Sequence, residues 1–138
     1  MSDDTKPRIL IVEDNSLIAE LVETRLRIEG MNPTKCPGGR EALELVGKQP
    51  FDAVILDIMM PDVDGYQVLR HIRSMPETAS LPVIFLTAKS TPDDIEKGLA
   101  MGANSYIAKP FSGLDLVRKI RLCLEERKAT RPEVRVSP

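Results

Sequence analysis

The chain has 138 residues, of which 42% are hydrophobic and 29% are charged. This length suits one ordinary domain, and the chain is too apolar for an intrinsically disordered protein. Its 19 basic and 21 acidic residues give a net charge of −2, which argues against a nucleic-acid binder held mainly by phosphate contacts.

Short apolar runs alternate with longer amphipathic stretches along the chain. Each short run is rich in β-branched or aromatic residues and predicts a strand, whereas each longer stretch has apolar residues at helical spacing. In chain order, the predicted elements are a strand at Ile9–Val12, a helix over 16–29, a weaker strand at Met31–Cys36, a helix over 39–48, a strand at Ala53–Leu56, a helix over 65–74, a strand at Val83–Leu86, a helix over 92–101, a strand at Tyr106–Ala108 and a helix over 113–126.

This alternation predicts an α/β domain with a parallel sheet between two layers of helices. The strong strands are apolar throughout, which is typical of strands buried on both faces. Pro33 interrupts the weaker second strand and cannot donate to a sheet ladder, so we expect that strand at an edge. The flavodoxin-like order 2-1-3-4-5 fits this arrangement. We expect the domain to span residues 7–127, and residues 128–138 to form a flexible tail or a truncated linker.

The cellular setting is constrained by apolar runs and cysteines. No apolar run approaches the roughly 18–20 residues that a membrane span needs, and the start Met1-Ser2-Asp3-Asp4 is acidic where a signal peptide is basic. Cys36 and Cys123 are too few for a disulfide framework and lack metal-site spacing. We therefore expect a cytoplasmic protein in a reducing compartment, without membrane contact.

Polar side chains follow four of the five predicted strands. Glu13 and Asp14 come after the first strand, Asp57 after the third, Thr87 after the fourth and Lys109 after the fifth. Because parallel strands end at the same edge of a sheet, these groups are expected to converge. The alternative is that they are solvated charges at loop ends, which are common in α/β proteins.

Three neighbouring carboxylates indicate a cation site. Two like charges about 4 Å apart cost about 4 kcal/mol at an effective dielectric of ~20. Lys109 supplies one positive charge, and Mg²⁺, a hard ion with oxygen ligands, is the natural second. The first loop has no glycine and two acids, which disfavours a flavin or nucleotide phosphate there. A carboxylate beside Mg²⁺ can attack phosphorus, so Asp57 is the candidate nucleophile, with Glu13 and Asp14 as metal ligands and with Lys109 and Thr87 as phosphoryl contacts.

Four motifs occur in order at these strand ends. They are Glu13-Asp14, Asp57-Ile58-Met59-Met60-Pro61-Asp62-Val63-Asp64-Gly65, Thr87-Ala88 and Lys109-Pro110-Phe111. In this combination the chain resembles the response-regulator receiver domain of bacterial two-component signalling, in its single-domain, chemotaxis-regulator-like form. The resemblance implies that a sensor histidine kinase or a phosphotransfer protein donates a phosphoryl group to Asp57. It also implies Mg²⁺ held by Asp14, Asp57 and the backbone carbonyl of Met59, with Glu13 contacting the ion through water.

The resemblance further implies a switch. Thr87 and Tyr106 would couple phosphorylation to the face made by the fourth helix, the fifth strand and the fifth helix, with Tyr106 turning into space that opens behind Thr87. The bond between Lys109 and Pro110 occupies a position that is cis in the family. Met59 and Lys89 flank the path of the hydrolytic water there, and neither side chain can accept a hydrogen bond that orients it, so we expect slow self-dephosphorylation.

The sequence supports three hypotheses for function. The first is a phosphorylation-dependent switch that is not an enzyme acting on external substrates, and that regulates a downstream protein partner or output domain without contacting nucleic acid directly. The second is a pseudo-receiver that binds partners without phosphorylation. The third is an aspartyl-nucleophile phosphatase, which is disfavoured because such enzymes generally carry a second Asp where this chain has Met59. The chain could be a stand-alone regulator or a receiver cut from a longer protein.

Overall fold

The computed structural model describes residues 5–130, which form five strands and five helices in strict alternation. The elements are β1 (Arg8–Val12), α1 (Ser16–Ile28), β2 (Asn32–Cys36), α2 (Gly39–Lys48), β3 (Ala53–Leu56), α3 (Gly65–Ser74), β4 (Val83–Thr87), α4 (Pro92–Ala100), β5 (Ser105–Ala108) and α5 (Gly113–Thr130). Every predicted element is present: three have the predicted bounds, six shift by one residue at one end, and α5 ends four residues later than predicted.

The end of α5 corrects the predicted tail. Residues 128–130 were expected in that tail, but they continue α5. Lys and Ala are good helix formers, and the Arg127 guanidinium anchors this part of the helix by donating to the carbonyl oxygens of Phe51 and Asp52. The rest of the predicted tail, residues 131–138, and the acidic start, residues 1–4, lie outside the described residues.

All neighbouring strands pair in parallel, in the order β2-β1-β3-β4-β5. This confirms the flavodoxin-like architecture. β2 lies at one edge, where Pro33 stands opposite Ile9 of β1. Proline is tolerated there because an edge strand needs ladder hydrogen bonds on only one side.

Two hydrophobic cores, one on each face of the sheet, hold the helices. Leu10 and Val12 of β1 point into the core with α2 and α3, whereas Ile9 and Ile11 point into the core with α1 and α5. Both sets are at most 1% exposed. Since successive strand residues face opposite sides, burial on both faces requires an uninterrupted apolar run, which is the pattern in the sequence.

Side-chain caps start the helices at the carboxyl edge of the sheet. Asn15 caps α1 by accepting from the Ile18 amide. Thr91 caps α4, with Pro92 at its first position as predicted, and a reciprocal pair of hydrogen bonds joins Thr91 to Asp94. Asp64 caps α3 in the same reciprocal way. These caps fix the loops that carry the polar strand-end groups.

The two cysteines are buried free thiols. Burial raises the pKa of each thiol to about 11, so both stay protonated and act as packing residues. Among the described residues, no helix combines the length and the apolar character needed to cross a membrane.

Candidate functional site

The structure brings the predicted carboxylates together at the carboxyl edge of the sheet. Glu13 and Asp14 follow β1, and Asp57 follows the central strand β3. One carboxylate oxygen from each of the three lies within 4.8 Å of the other two. Glu13 and Asp57 are buried, at 4% and 5% exposure, whereas Asp14 is exposed. The site is therefore a shallow acidic pocket with one open side.

Lys109 is the cation that this pocket contains. Its Nζ lies 2.7 Å from Glu13 Oε1 and 3.0 Å from Asp57 Oδ2. The Lys109 side chain is only 15% exposed, so both ion pairs are largely shielded from water. A cis peptide bond joins Lys109 to Pro110, and the Lys109 amide donates to the Thr87 carbonyl at 2.9 Å. This hydrogen bond holds the loop after β5 against the end of β4.

Burial and charge together shift the protonation of this cluster. Burial raises the pKa of Glu13 above its ordinary value of 4.5, and the nearby Asp57 adds to the rise, while the Lys109 ammonium opposes both. For Lys109, burial alone would lower the pKa, but the bonds to Glu13 and Asp57 outweigh it and the pKa is raised. Lys109 therefore remains an ammonium at neutral pH.

The donor set suits a hard divalent cation. Three carboxylates face a single ammonium, so the cluster keeps an excess of negative charge that a second cation would offset. All the ligating atoms are oxygens, which Mg²⁺ prefers, and the exposed side at Asp14 leaves room for water. The Met59 amide donates to Asp57 Oδ1 at 3.2 Å, while its side chain points outward at 58% exposure.

Gly65 is a site residue to which the sequence analysis assigned no role. A Cβ atom at this position would lie 2.4 Å from the Asp57 carbonyl oxygen and 2.6 Å from Ile58 Cα. The start of α3 therefore approaches the backbone of the candidate nucleophile as closely as only glycine allows. The glycine at the end of the Asp57–Gly65 motif was the available signal, but the contact depends on tertiary packing.

The Lys89 backbone links Thr87 to Tyr106. Thr87 is fully buried, and its hydroxyl accepts a hydrogen bond from the Lys89 amide at 3.2 Å. The Tyr106 hydroxyl donates to the Lys89 carbonyl. Tyr106 is 8% exposed and its ring packs edge-on against Phe85. The ring therefore lies inside in this structure, and the coupling of Thr87 and Tyr106 to phosphorylation stays a prediction.

The Lys89 side chain turns toward α4. Its Nζ lies 3.2 Å from Asp94 Oδ1, with the two side chains 41% and 17% exposed. Asp94 also accepts a hydrogen bond from the Thr91 amide at 3.0 Å. The Lys89 ammonium is therefore linked to the capping box of α4. With Lys89 paired to α4 and Met59 exposed, neither side chain offers an acceptor for a water beside Asp57.

Comparisons with known sequences and structures all indicate the same protein family. The family model described as "Response regulator receiver domain" matches residues 9–121. The chain is 43% identical over 119 residues to the probable transcriptional regulator ycf27 of Galdieria sulphuraria, covering 86% of this chain and 46% of that relative. It is 38% identical over 129 residues to the probable transcriptional regulatory protein TcrX of Mycobacterium tuberculosis, covering 94% and 54%. The chain thus spans about half the length of these curated relatives.

A solved structure has the same fold at similar identity. The receiver domain of the sensor histidine kinase PA1611 from Pseudomonas aeruginosa superposes with a TM-score of 0.81 at 34% identity, covering 88% of this chain and 99% of that one. That structure is described with a magnesium ion coordinated in its active site cleft.

Proposed function

The chain belongs to the response regulator receiver domain family, and from that premise we propose that it is a phosphorylation-dependent switch with Asp57 as its phosphoryl acceptor. The observation that supports this proposal most directly is the Asp57 carboxylate, buried at the carboxyl edge of the sheet and held by Lys109 beside Glu13 and Asp14. A buried carboxylate in such a cluster is oriented and desolvated, as a nucleophile must be.

Transfer to Asp57 requires an in-line displacement at phosphorus. An Asp57 carboxylate oxygen forms the new P–O bond while the bond from phosphorus to the donor breaks, and the donor leaves with the electron pair. With a phosphohistidine donor the P–N bond breaks, and with acetyl phosphate the departing group is acetate. The product is an acyl phosphate on Asp57. Since this chemistry needs mainly positioning and charge stabilisation, the receiver itself supplies much of the catalysis.

The neighbouring side chains have separate roles in this mechanism. The Lys109 ammonium, now shared between Glu13 and Asp57, would pair with a phosphoryl oxygen. The Thr87 hydroxyl, now an acceptor from Lys89, would donate to another. Asp14, Asp57 and the Met59 carbonyl would hold Mg²⁺, with Glu13 contacting it through water, and the ion would offset carboxylate and phosphoryl charge.

The kinase and output partners are inferred from the family. We propose a sensor histidine kinase or phosphotransfer protein as donor, and a downstream partner or output domain as the regulated target. The two curated relatives compared above are named as transcriptional regulators rather than as classical enzymes. Their greater length leaves room for an output segment that these residues do not include, and we expect the receiver residues themselves to make no direct contact with nucleic acid.

Intact mass spectrometry tests this function. The protein is incubated with acetyl phosphate, with and without Mg²⁺, beside Asp57→Asn and beside Asp62→Asn, a control acid whose side chain is 63% exposed on the same loop. We expect one added phosphoryl group that requires Mg²⁺ and Asp57 but not Asp62. An adduct that persists in Asp57→Asn would overturn the assignment. No adduct, together with no beryllofluoride binding, would favour the pseudo-receiver.

A further inference from the structure

α4 contains a buried glycine at the point where it covers Tyr106. Gly98 lies inside the helix, two residues before its end at Ala100. A Cβ atom there would lie 2.8 Å from Tyr106 Cε2 and 3.1 Å from Phe85 Cδ2. Glycine is among the least favourable residues in a helix interior. Its presence at this contact therefore indicates that position 98 leaves room for the neighbouring rings at a cost to helix stability.

The space is filled by the ring of Tyr106. Tyr106 packs edge-on against Phe85 at a centroid distance of 5.7 Å, and Phe85 packs edge-on against Tyr66 at 5.9 Å. The aromatic row therefore runs from α3 through β4 to β5, beneath α4. At its far end the Tyr106 hydroxyl is held by the Lys89 carbonyl, whose residue also donates its amide to Thr87.

We propose that Gly98 is a positioning residue for the switch, because the gap it leaves in α4 admits the Tyr106 ring to its buried position. The surface between α4 and β5 is then formed with the tyrosine buried. Phosphorylation acts at the other end of the same connection, on the Thr87 hydroxyl and the Lys89 peptide. This inference rests on the proposed function in assigning Thr87 and Tyr106 to the route between Asp57 and the output surface.

The alternative explanation is that Gly98 serves packing of the helix alone. The two explanations differ in what they predict for the Tyr106 hydroxyl. If Gly98 admits the ring, a methyl group at position 98 moves Tyr106 out of its buried site and exposes the hydroxyl. If Gly98 only lets α4 approach the sheet, the helix shifts and the hydroxyl stays buried.

Ionisation of Tyr106 reports which of these occurs. Burial, followed by the nearby Tyr66, Asp94 and Asp57, raises the pKa of Tyr106 to about 12, from an ordinary value of 10.0. The chain has two tyrosines and no tryptophan, so Tyr66→Phe leaves a single tyrosine chromophore. That change keeps the ring against Phe85 and removes a hydroxyl that has no hydrogen-bond partner within the described part of the chain.

The experiment compares Gly98→Ala with its parent in the Tyr66→Phe background. Tyrosinate absorbance is read at about pH 11, where a group with a pKa of about 12 is roughly one-tenth ionised and one with a pKa of about 10 roughly nine-tenths ionised. Circular dichroism at the same pH confirms that each protein is folded. Gly47→Ala is the matched control, since Gly47 is also helical and a Cβ there meets no described atom within 4 Å.

We expect Gly98→Ala to raise the ionised fraction several-fold, toward the higher limit, and Gly47→Ala to leave it unchanged. A folded Gly98→Ala protein that stays at the parent's ionisation overturns the inference. If Gly98→Ala does not fold, the same change is made in a Tyr106→Ala protein that folds by circular dichroism. A double variant that folds supports the inference, and one that also fails to fold overturns it.

The ionisation assay separates this inference from the proposed function. It uses no phosphodonor and no Mg²⁺, so it can succeed even if Asp57 takes up no phosphoryl group. Conversely, normal phosphorylation of Asp57 together with an unshifted Tyr106 in Gly98→Ala would leave the proposed function intact and remove Gly98 from the switch.

Discussion

Replacement of Lys109 by methionine should expose the electrostatic balance of the acidic pocket. Methionine is of similar length but carries no charge, so Glu13 and Asp57 would lose the ammonium that lies 2.7 and 3.0 Å from their oxygens. Carboxylate oxygens up to 4.8 Å apart would then repel each other without compensation. At an effective dielectric of ~20 this repulsion is about 3.5 kcal/mol, and it adds to the burial that already raises the pKa of Glu13.

The expected consequence is a less stable protein at neutral pH that recovers on acidification. Removal of one partner from a buried ion pair costs about 3–5 kcal/mol. The folded-state pKa of Glu13 is already raised above its ordinary value of 4.5, and Lys109→Met raises it further. Because a raised folded pKa means that the native state binds the proton more tightly, the variant gains stability as pH falls through that pKa toward the unfolded value.

Urea denaturation at several pH values measures this effect. The control is Lys35→Met, which removes the exposed ion pair of Lys35 with Glu23, whose side chains are 39% and 21% exposed, and which should cost at most about 1 kcal/mol. We expect the stability gap between Lys109→Met and the parent to narrow as the pH falls from neutral toward the ordinary Glu13 pKa of 4.5. A gap that is small at pH 7, or that does not change with pH, would refute this electrostatic reasoning.

Three further predictions concern the residues around the pocket. Gly65→Ala should lower the free energy of unfolding by at least about 2 kcal/mol, since the new Cβ meets the Asp57 backbone; thermal unfolding checks this, and a change below that of Gly47→Ala would contradict it. Tyr66→Phe should be neutral or stabilising by up to about 1 kcal/mol, because its buried hydroxyl has no partner among the described residues; a clear loss in urea denaturation would count against this. The phosphorylated protein should lose its phosphoryl group slowly, and Met59→Asn, which supplies an amide for the attacking water, should speed that loss. Release of inorganic phosphate measures the two rates, and a wild-type phosphoryl lifetime of seconds would contradict the expected slow loss.

The sheet could be predicted from the sequence because its signal is local. The four strong strand runs are apolar throughout and α1, α3 and α4 carry side-chain caps, so β3 and the cap at Thr91 are where the sequence indicates. The strand-end groups followed from the same reasoning, since parallel strands that end at one edge bring Glu13, Asp57 and Lys109 into contact. These features depend on few long-range details.

The features that escaped prediction depend on contacts between distant segments. The inward Tyr106 ring lies against Gly98 of α4, and its hydroxyl donates to the Lys89 carbonyl; neither contact is visible as a local pattern. The close approach of Gly65 to Asp57 likewise appears only when α3 is packed on the sheet. Residues 128–130 offer almost nothing to bury, which is why the sequence indicated a tail, but α5 runs to Thr130 and Arg127 donates to the carbonyl oxygens of Phe51 and Asp52, just before β3.

The most direct test of the account is to locate the phosphoryl group chemically. After incubation with acetyl phosphate and Mg²⁺, borohydride reduces an acyl phosphate to the alcohol, so a phosphorylated aspartate becomes homoserine and is found by peptide mass spectrometry. We expect homoserine at position 57, in a yield that falls to background without Mg²⁺ and after Lys109→Met. Homoserine at position 14 instead, or none anywhere under conditions in which beryllofluoride also fails to bind, would contradict the assignment of Asp57 as the phosphoryl acceptor.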